Sequence, residues 1–166
     1  MKIAITGGTA GIGQALAKIY QEQGYEVVVL SRRNGYNIRS LPKVAGMIEP
    51  CDVFINNAQV GFAQTELLWE MWRRWQGQDK VIVNISTQMV LMQYAPKTEW
   101  DEYLVQKKTL ELAQETMTYR SELPRLILER PGAIATQPGQ AVPPYKDVNE
   151  YADEVVDRLK DIINGQ

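Results

Sequence analysis

Tyr103 and Lys107 stand four residues apart in the stretch "DEYLVQKK" (101–108). In a helix that spacing stacks the two side chains one turn apart on the same face. A phenol with a pKa near 10 is a poor base at neutral pH, and a neighbouring ammonium stabilises its anion. Such a pair can give or take a proton. Two hydroxyls precede it, Ser86 and Thr87 in "VNIST" (83–87), either able to donate to a developing oxyanion. In a strand the two point to opposite faces, so only one can meet a substrate. A third feature lies at the start of the chain. "TGGTAGIG" (6–13) follows one apolar run and opens a helical pattern. There Gly7 can make a tight turn, Gly11 can let backbone approach a phosphate, and Gly13 can let helix and strand pack closely. The helix N-terminus would offer free N–H groups to a pyrophosphate.

Elements that could position these residues are legible. Short apolar runs occur at 2–6, 26–30, 51–55, 80–85 and 125–129. They are continuous rather than alternating, as in strands buried on both faces of a parallel sheet. Helical patterns lie near 11–23, 65–76 and 99–120, with a last one near 147–163 that Asp147 would cap. The alternation predicts a single α/β domain over 1–166, a Rossmann-type doubly wound parallel sheet of about five to six strands. Between Ser31 and Cys51 there is room only for a stub of strand at 35–38 and a short helix at about 41–48.

Composition narrows the function. The chain has 166 residues, 45% apolar and 23% charged, with a net charge of −2. That balance gives no reason to expect a nucleic-acid surface, and no apolar run approaches membrane-spanning length. The absence of histidine removes the usual metal-ligand and Ser-His-Asp arrangements, so no metal site is expected. Cys51 is the one cysteine. With a start that enters a strand pattern and shows no signal-peptide layout, it leads to an expected cytoplasmic setting.

The second apolar run ends in Ser31, followed by Arg32 and Arg33. A carboxylate there would accept from a ribose 2′-hydroxyl; guanidinium groups instead pair with a 2′-phosphate. NADP(H) is therefore the expected cofactor, with NAD(H) possible. The alternative is two solvated arginines on a loop.

In this order of motifs the chain resembles the short-chain dehydrogenase/reductase family. The residues concerned are TGxxxGxG from Thr6 to Gly13, "NNA" from Asn56 to Ala58 and "VNIST" from Val83 to Thr87. YxxxK follows at Tyr103 and Lys107, and PGxxxT at Pro131, Gly132 and Thr136. The resemblance implies hydride transfer between a nicotinamide and a small carbonyl or alcohol substrate. Tyr103 would be the acid–base, Lys107 would lower its pKa and hold the ribose, and Thr87 or Ser86 would be the polarising hydroxyl. It also implies cofactor contacts from Gly7, Thr9, Gly11, Ile12, Gly13, Ser31, Arg32, Arg33, Asn37, Asn57, Ala58, Lys107, Pro131, Gly132, Ile134 and Thr136. Asn37 would meet the adenine, its other reading being a turn asparagine.

Departures are equally plain. The catalytic asparagine expected between "NNA" and "VNIST" is missing, with Gln64 as a possible replacement. The glycine after "NNA" is Gln59, and too little chain follows Thr136 for a substrate lid. Met89, Leu91, Met92, Tyr94 and Trp100 are candidates to line an open site. Helix 65–76 carries apolar residues over roughly 200°, wider than one sheet face needs. This suggests a homodimer or homotetramer, unless Trp69 covers a loop of its own subunit. A non-catalytic NADP(H) sensor is the main alternative to an enzyme, and a sugar-nucleotide enzyme a weaker one.

Overall fold

The structure is a computed structural model and describes residues 1–136 and 145–163. In chain order it contains β1 (Lys2–Thr6), α1 (Gly11–Glu22), β2 (Glu26–Leu30), α2 (Leu41–Ile48), β3 (Val53–Asn56) and α3 (Ala63–Arg74). There follow β4 (Val81–Ile85), α4 (Asp101–Thr118), β5 (Arg125–Glu129), β6 (Ile134–Ala135), β7 (Lys146–Asp147) and α5 (Val148–Ile163). Five strands form one sheet in the order β2-β1-β3-β4-β5, every pair parallel. The two-residue strands β6 and β7 pair only with each other.

The unbroken apolar runs are explained by two cores. Successive strand residues point to opposite faces. Ile3, Ile5, Val53, Ile55, Val81 and Val83 face α1 and α5. Ala4, Phe54 and Ile82 face α2, α3 and α4. The sheet is thus covered on both sides, the doubly wound arrangement expected from the sequence. Asp147 caps α5 as anticipated, its Oδ1 accepting from the N–H groups of Asn149 (2.8 Å) and Glu150 (3.1 Å).

One expected strand does not form. Residues 35–38 make turns and coil, because the backbone there closes on itself. Tyr36 N–H donates to Ser31 O at 2.7 Å. Asn34 Nδ2 donates to Val29 O at 2.7 Å, occupying a carbonyl that a neighbouring strand would need. The short helix that follows, α2, is where the sequence placed it.

The wide apolar arc of α3 is largely spent inside the chain. Leu67, Leu68, Met71, Trp72 and Trp75 are all buried in the core that α3 shares with α2 and α4, and only Trp69 is half-exposed. Trp75 Nε1 donates to Glu49 O at 3.2 Å, which ties α3 to the end of α2. The surplus that suggested a subunit interface is therefore not an open face. The expectation about a lid falls partly on residues 137–144, which lie outside the described residues. Among the described residues, no helix is long and apolar enough to cross a membrane.

Candidate active site

In a parallel sheet the loops after the strands leave from one edge. Those after β1 to β5, with the start of α4, carry the candidate residues. The strand order reverses between β1 and β3, and there the first crevice opens. Thr6, wholly buried at the end of β1, organises it: its Oγ1 accepts from Asn57 N (3.0 Å) and Ala58 N (3.1 Å). Asn57 Nδ2 returns a bond to Thr6 O at 3.0 Å. This pins "NNA" beside the glycine loop. Nothing in the sequence marked Thr6 for that role except its place in the motif.

Gly7 sits at φ 71° and Gly11 at φ 52°, backbone that side chains rarely adopt. At Gly13 the constraint is space: a Cβ would lie 2.6 Å from Gly7 O and 2.6 Å from Asn57 Nδ2. Gly13→Ala is expected to push the glycine loop away from α1, at a cost of about 1–3 kcal/mol. A thermal melt would measure that loss, and a variant melting with the parent would refute it.

Beyond the loop lies a cavity of about 270 Å³ lined by Gly7, Thr9, Ser31, Arg32, Arg33 and Asn37, among others. Arg33 Nη1 donates to Thr9 O at 3.4 Å, and Arg32 makes no ion pair among the described residues. Asn37 lines the cavity, but its Oδ1 already accepts from Arg39 N at 3.0 Å, so it serves a turn as well. Ile12 and Ile134 pack against the α1–α5 core. Thr136 stands over the glycine loop, about where a Gly11 side chain would be, with its Cγ2 3.3 Å from that point. Gln88 N–H donates to Pro131 O at 2.9 Å, and Gly132 leaves room for the Gln88 side chain.

The second half of the site lies between β4 and α4. The Tyr103 side chain lies close enough to Thr87 for that hydroxyl to pull its pKa down. Ser86, one residue earlier, points elsewhere: its hydroxyl donates to Glu111 Oε1 at 2.6 Å. Of the two hydroxyls left open by the sequence, the structure brings Thr87 to Tyr103 and takes Ser86 away. Glu111 was not foreseen. It lies one turn beyond Lys107 and is held by Arg130, whose Nε and Nη2 donate at 3.0 and 2.8 Å.

Lys107 is buried, with its Nζ 5.6 Å from the centre of the Tyr103 ring. It donates to Gln64 Oε1 at 2.9 Å and to Ile85 O at 2.8 Å. Burial lowers its pKa from 10.5 to about 8, with Glu111 opposing. The expected effect of Lys107 on Tyr103 is not seen. Burial raises the Tyr103 pKa, and the Thr87 hydroxyl pulls it only partly back. The ammonium is turned to neutral acceptors on the sheet side rather than to the phenol oxygen.

Gln59 takes the place of the expected glycine and donates to Gln106 on α4. Leu91, Met92, Tyr94 and Trp100, proposed as lining, are exposed at 72%, 48%, 74% and 40%, so they belong to surface rather than core. Among the described residues no group of three His, Cys, Asp or Glu side chains could hold a metal ion.

No protein-family model matches the sequence, and no curated protein matches it. Solved structures do. A short-chain dehydrogenase from Burkholderia cenocepacia, in complex with NADP, superposes with a TM-score of 0.79 at 17% identity. The match covers 96% of this chain and 84% of that one. The chain has the short-chain dehydrogenase/reductase fold. The ketone-specific alcohol dehydrogenase from Comamonas testosteroni gives a TM-score of 0.76 at 18% identity, over 98% of this chain and 83% of that one. A short-chain dehydrogenase from Sphingobium yanoikuyae, in complex with NADPH, gives 0.69 at 16%, over 97% and 85%. At such identities the likeness is one of fold, and this fold places the glycine loop, Thr87, Tyr103 and Lys107 along one sheet edge.

Proposed function

We propose that the chain is an NADP(H)-dependent oxidoreductase of the short-chain dehydrogenase/reductase type, acting on a small carbonyl or alcohol substrate. The observation that carries this reading is the placement of buried Lys107, bonded to Ile85 O just before Thr87 and 5.6 Å from the Tyr103 ring, on the same sheet edge as the glycine loop. The solved structures of this fold with NADP and NADPH bound support the same cofactor here.

The residues present suit the cofactor. The positive φ of Gly7 and Gly11 and the close packing at Gly13 set the glycine loop tightly at the start of α1, where free N–H groups can meet a pyrophosphate. Arg32 and Arg33 border the cavity where a 2′-phosphate would be paired. When bound, the nicotinamide supplies or accepts the hydride. Tyr103 is protonated at neutral pH, as an ordinary phenol is, and so carries the proton a carbonyl oxygen would take. Thr87 lies close to Tyr103 and can donate to the same oxygen. The Lys107 ammonium, charged below about pH 8 and 5.6 Å from the Tyr103 ring, places a positive charge beside the reacting group.

Titration of NADPH and NADH by nicotinamide fluorescence tests the cofactor part. Arg32→Ala and Arg33→Ala are each expected to weaken NADPH about tenfold while leaving NADH unchanged, since a charge-assisted bond is worth about 1.5–3 kcal/mol. Equal losses for both nucleotides would remove the 2′-phosphate assignment.

A further inference from the structure

A lysine reaches its site on a flexible four-carbon stem, so its ammonium holds one position only where it is tied. Two of the three Lys107 N–H bonds are committed, to Gln64 Oε1 and Ile85 O. Gln64 is itself fixed. Its Nε2 donates to Asn56 O at 2.7 Å and to Ile85 O at 3.1 Å. An amide whose two N–H groups are taken by carbonyls can turn only its oxygen to the lysine. The run continues sideways: Asn56 Nδ2 donates to Gln64 O (3.0 Å) and Asn84 Oδ1 (2.8 Å), and Asn84 Nδ2 donates to Gln114 Oε1 (2.8 Å). Gln64, Asn56, Asn84, Gln114 and Lys107 are all buried, and they tie α3, β3, β4 and α4 together.

We propose that Gln64 is the positioning residue of Lys107, holding its ammonium by a direct hydrogen bond and mounting it, through the buried amides, on the sheet and on α3. This rests on the oxidoreductase reading for its purpose, though not for its test. The mount leaves the third Lys107 N–H for a ligand. The charged and titratable groups around the ammonium are Tyr103 and Glu111 on its own helix and Arg130 after β5, which is paired with Glu111. From α3 the facing group is the neutral Gln64, and from β4 it is the Ile85 carbonyl. With no carboxylate bonded to it, the charge of Lys107 responds to what stands at position 64.

The test is NMR titration of the Lys107 amine in the cofactor-free protein, in Gln64→Glu and Gln64→Met. The carboxylate of Gln64→Glu is expected to raise the proton affinity of Lys107 about tenfold or more. Gln64→Met keeps the volume and removes the acceptor. It is expected to lower that affinity several-fold and to leave the side chain averaging over rotamers. If Lys107 titrates within about twofold of the parent in folded protein of both kinds, the proposal is overturned. Where Gln64→Met fails to fold, Gln64→Glu decides alone by the same criterion. NADPH titration of the parent is run beside it. Failure of NADPH to bind, with the Lys107 shifts as expected, would sink the oxidoreductase reading and leave the Gln64 assignment standing.

Discussion

Tyr103→Phe is expected to cut turnover of a carbonyl substrate by about 10²–10⁴-fold, the usual worth of a positioned general acid. NADPH affinity should change little, because the hydroxyl belongs to α4 and not to the glycine loop. The variant isolates the proton. Phenylalanine keeps the ring that stands beside the Lys107 ammonium, so the helix face and its packing survive. Steady-state rates with a substrate found by screening, together with an NADPH titration, measure both quantities. Full turnover in Tyr103→Phe would take the acid–base role away from this residue. An equal loss in Ser86→Ala would undo the division between the two hydroxyls, since Ser86 is committed to Glu111.

The second large effect concerns stability and pH. Lys107 has a pKa of about 8 in the folded chain, against 10.5 when exposed. Between those values the unfolded chain binds more protons than the folded one, so stability rises with pH across that window. Below about pH 8 both forms carry the charge, and the folded state bears the full cost of burying it. The gap is worth about 3 kcal/mol. Lys107→Met removes this term, and the parent should therefore gain on the variant from about pH 8 to pH 10. Comparing the two proteins is essential, because other groups titrate nearby. Burial raises Cys51 from 9.0 to about 11 and raises Tyr20 and Tyr151 as well, which lowers stability at high pH in both proteins alike. Urea midpoints over this range read the difference. Parallel curves for parent and variant would mean that Lys107 is not held charged in a buried place.

Much of this arrangement was legible in the residues. Continuous apolar runs identified the five sheet strands because helices cover both faces of the sheet, fully over β1, β3 and β4 and partly over the edge strands β2 and β5, and β1, β2 and β5 have the predicted bounds. The glycine loop was legible because its demands are steric: a Cβ has no room at Gly13. The choice between Ser86 and Thr87 was not, since it depends on Glu111 coming round on the next helical turn after Lys107 to take the serine. The stub of strand at 35–38 failed for a local reason. Asn34 reaches back to Val29 O, a side-chain bond that propensity and periodicity do not register. The direction of the Tyr103 pKa was missed because spacing places Lys107 on the same helix face but does not say where its ammonium points. Gln64 and Ile85 decide that.

The most direct test of the central claim is to mix the purified protein with NADPH and a panel of small aldehydes and ketones, following loss of the reduced nicotinamide absorbance. The expected result is substrate-dependent consumption of NADPH that disappears in Tyr103→Phe. Tight NADPH binding with no consumption on any carbonyl would contradict it, and would leave a protein that holds the nucleotide without using it.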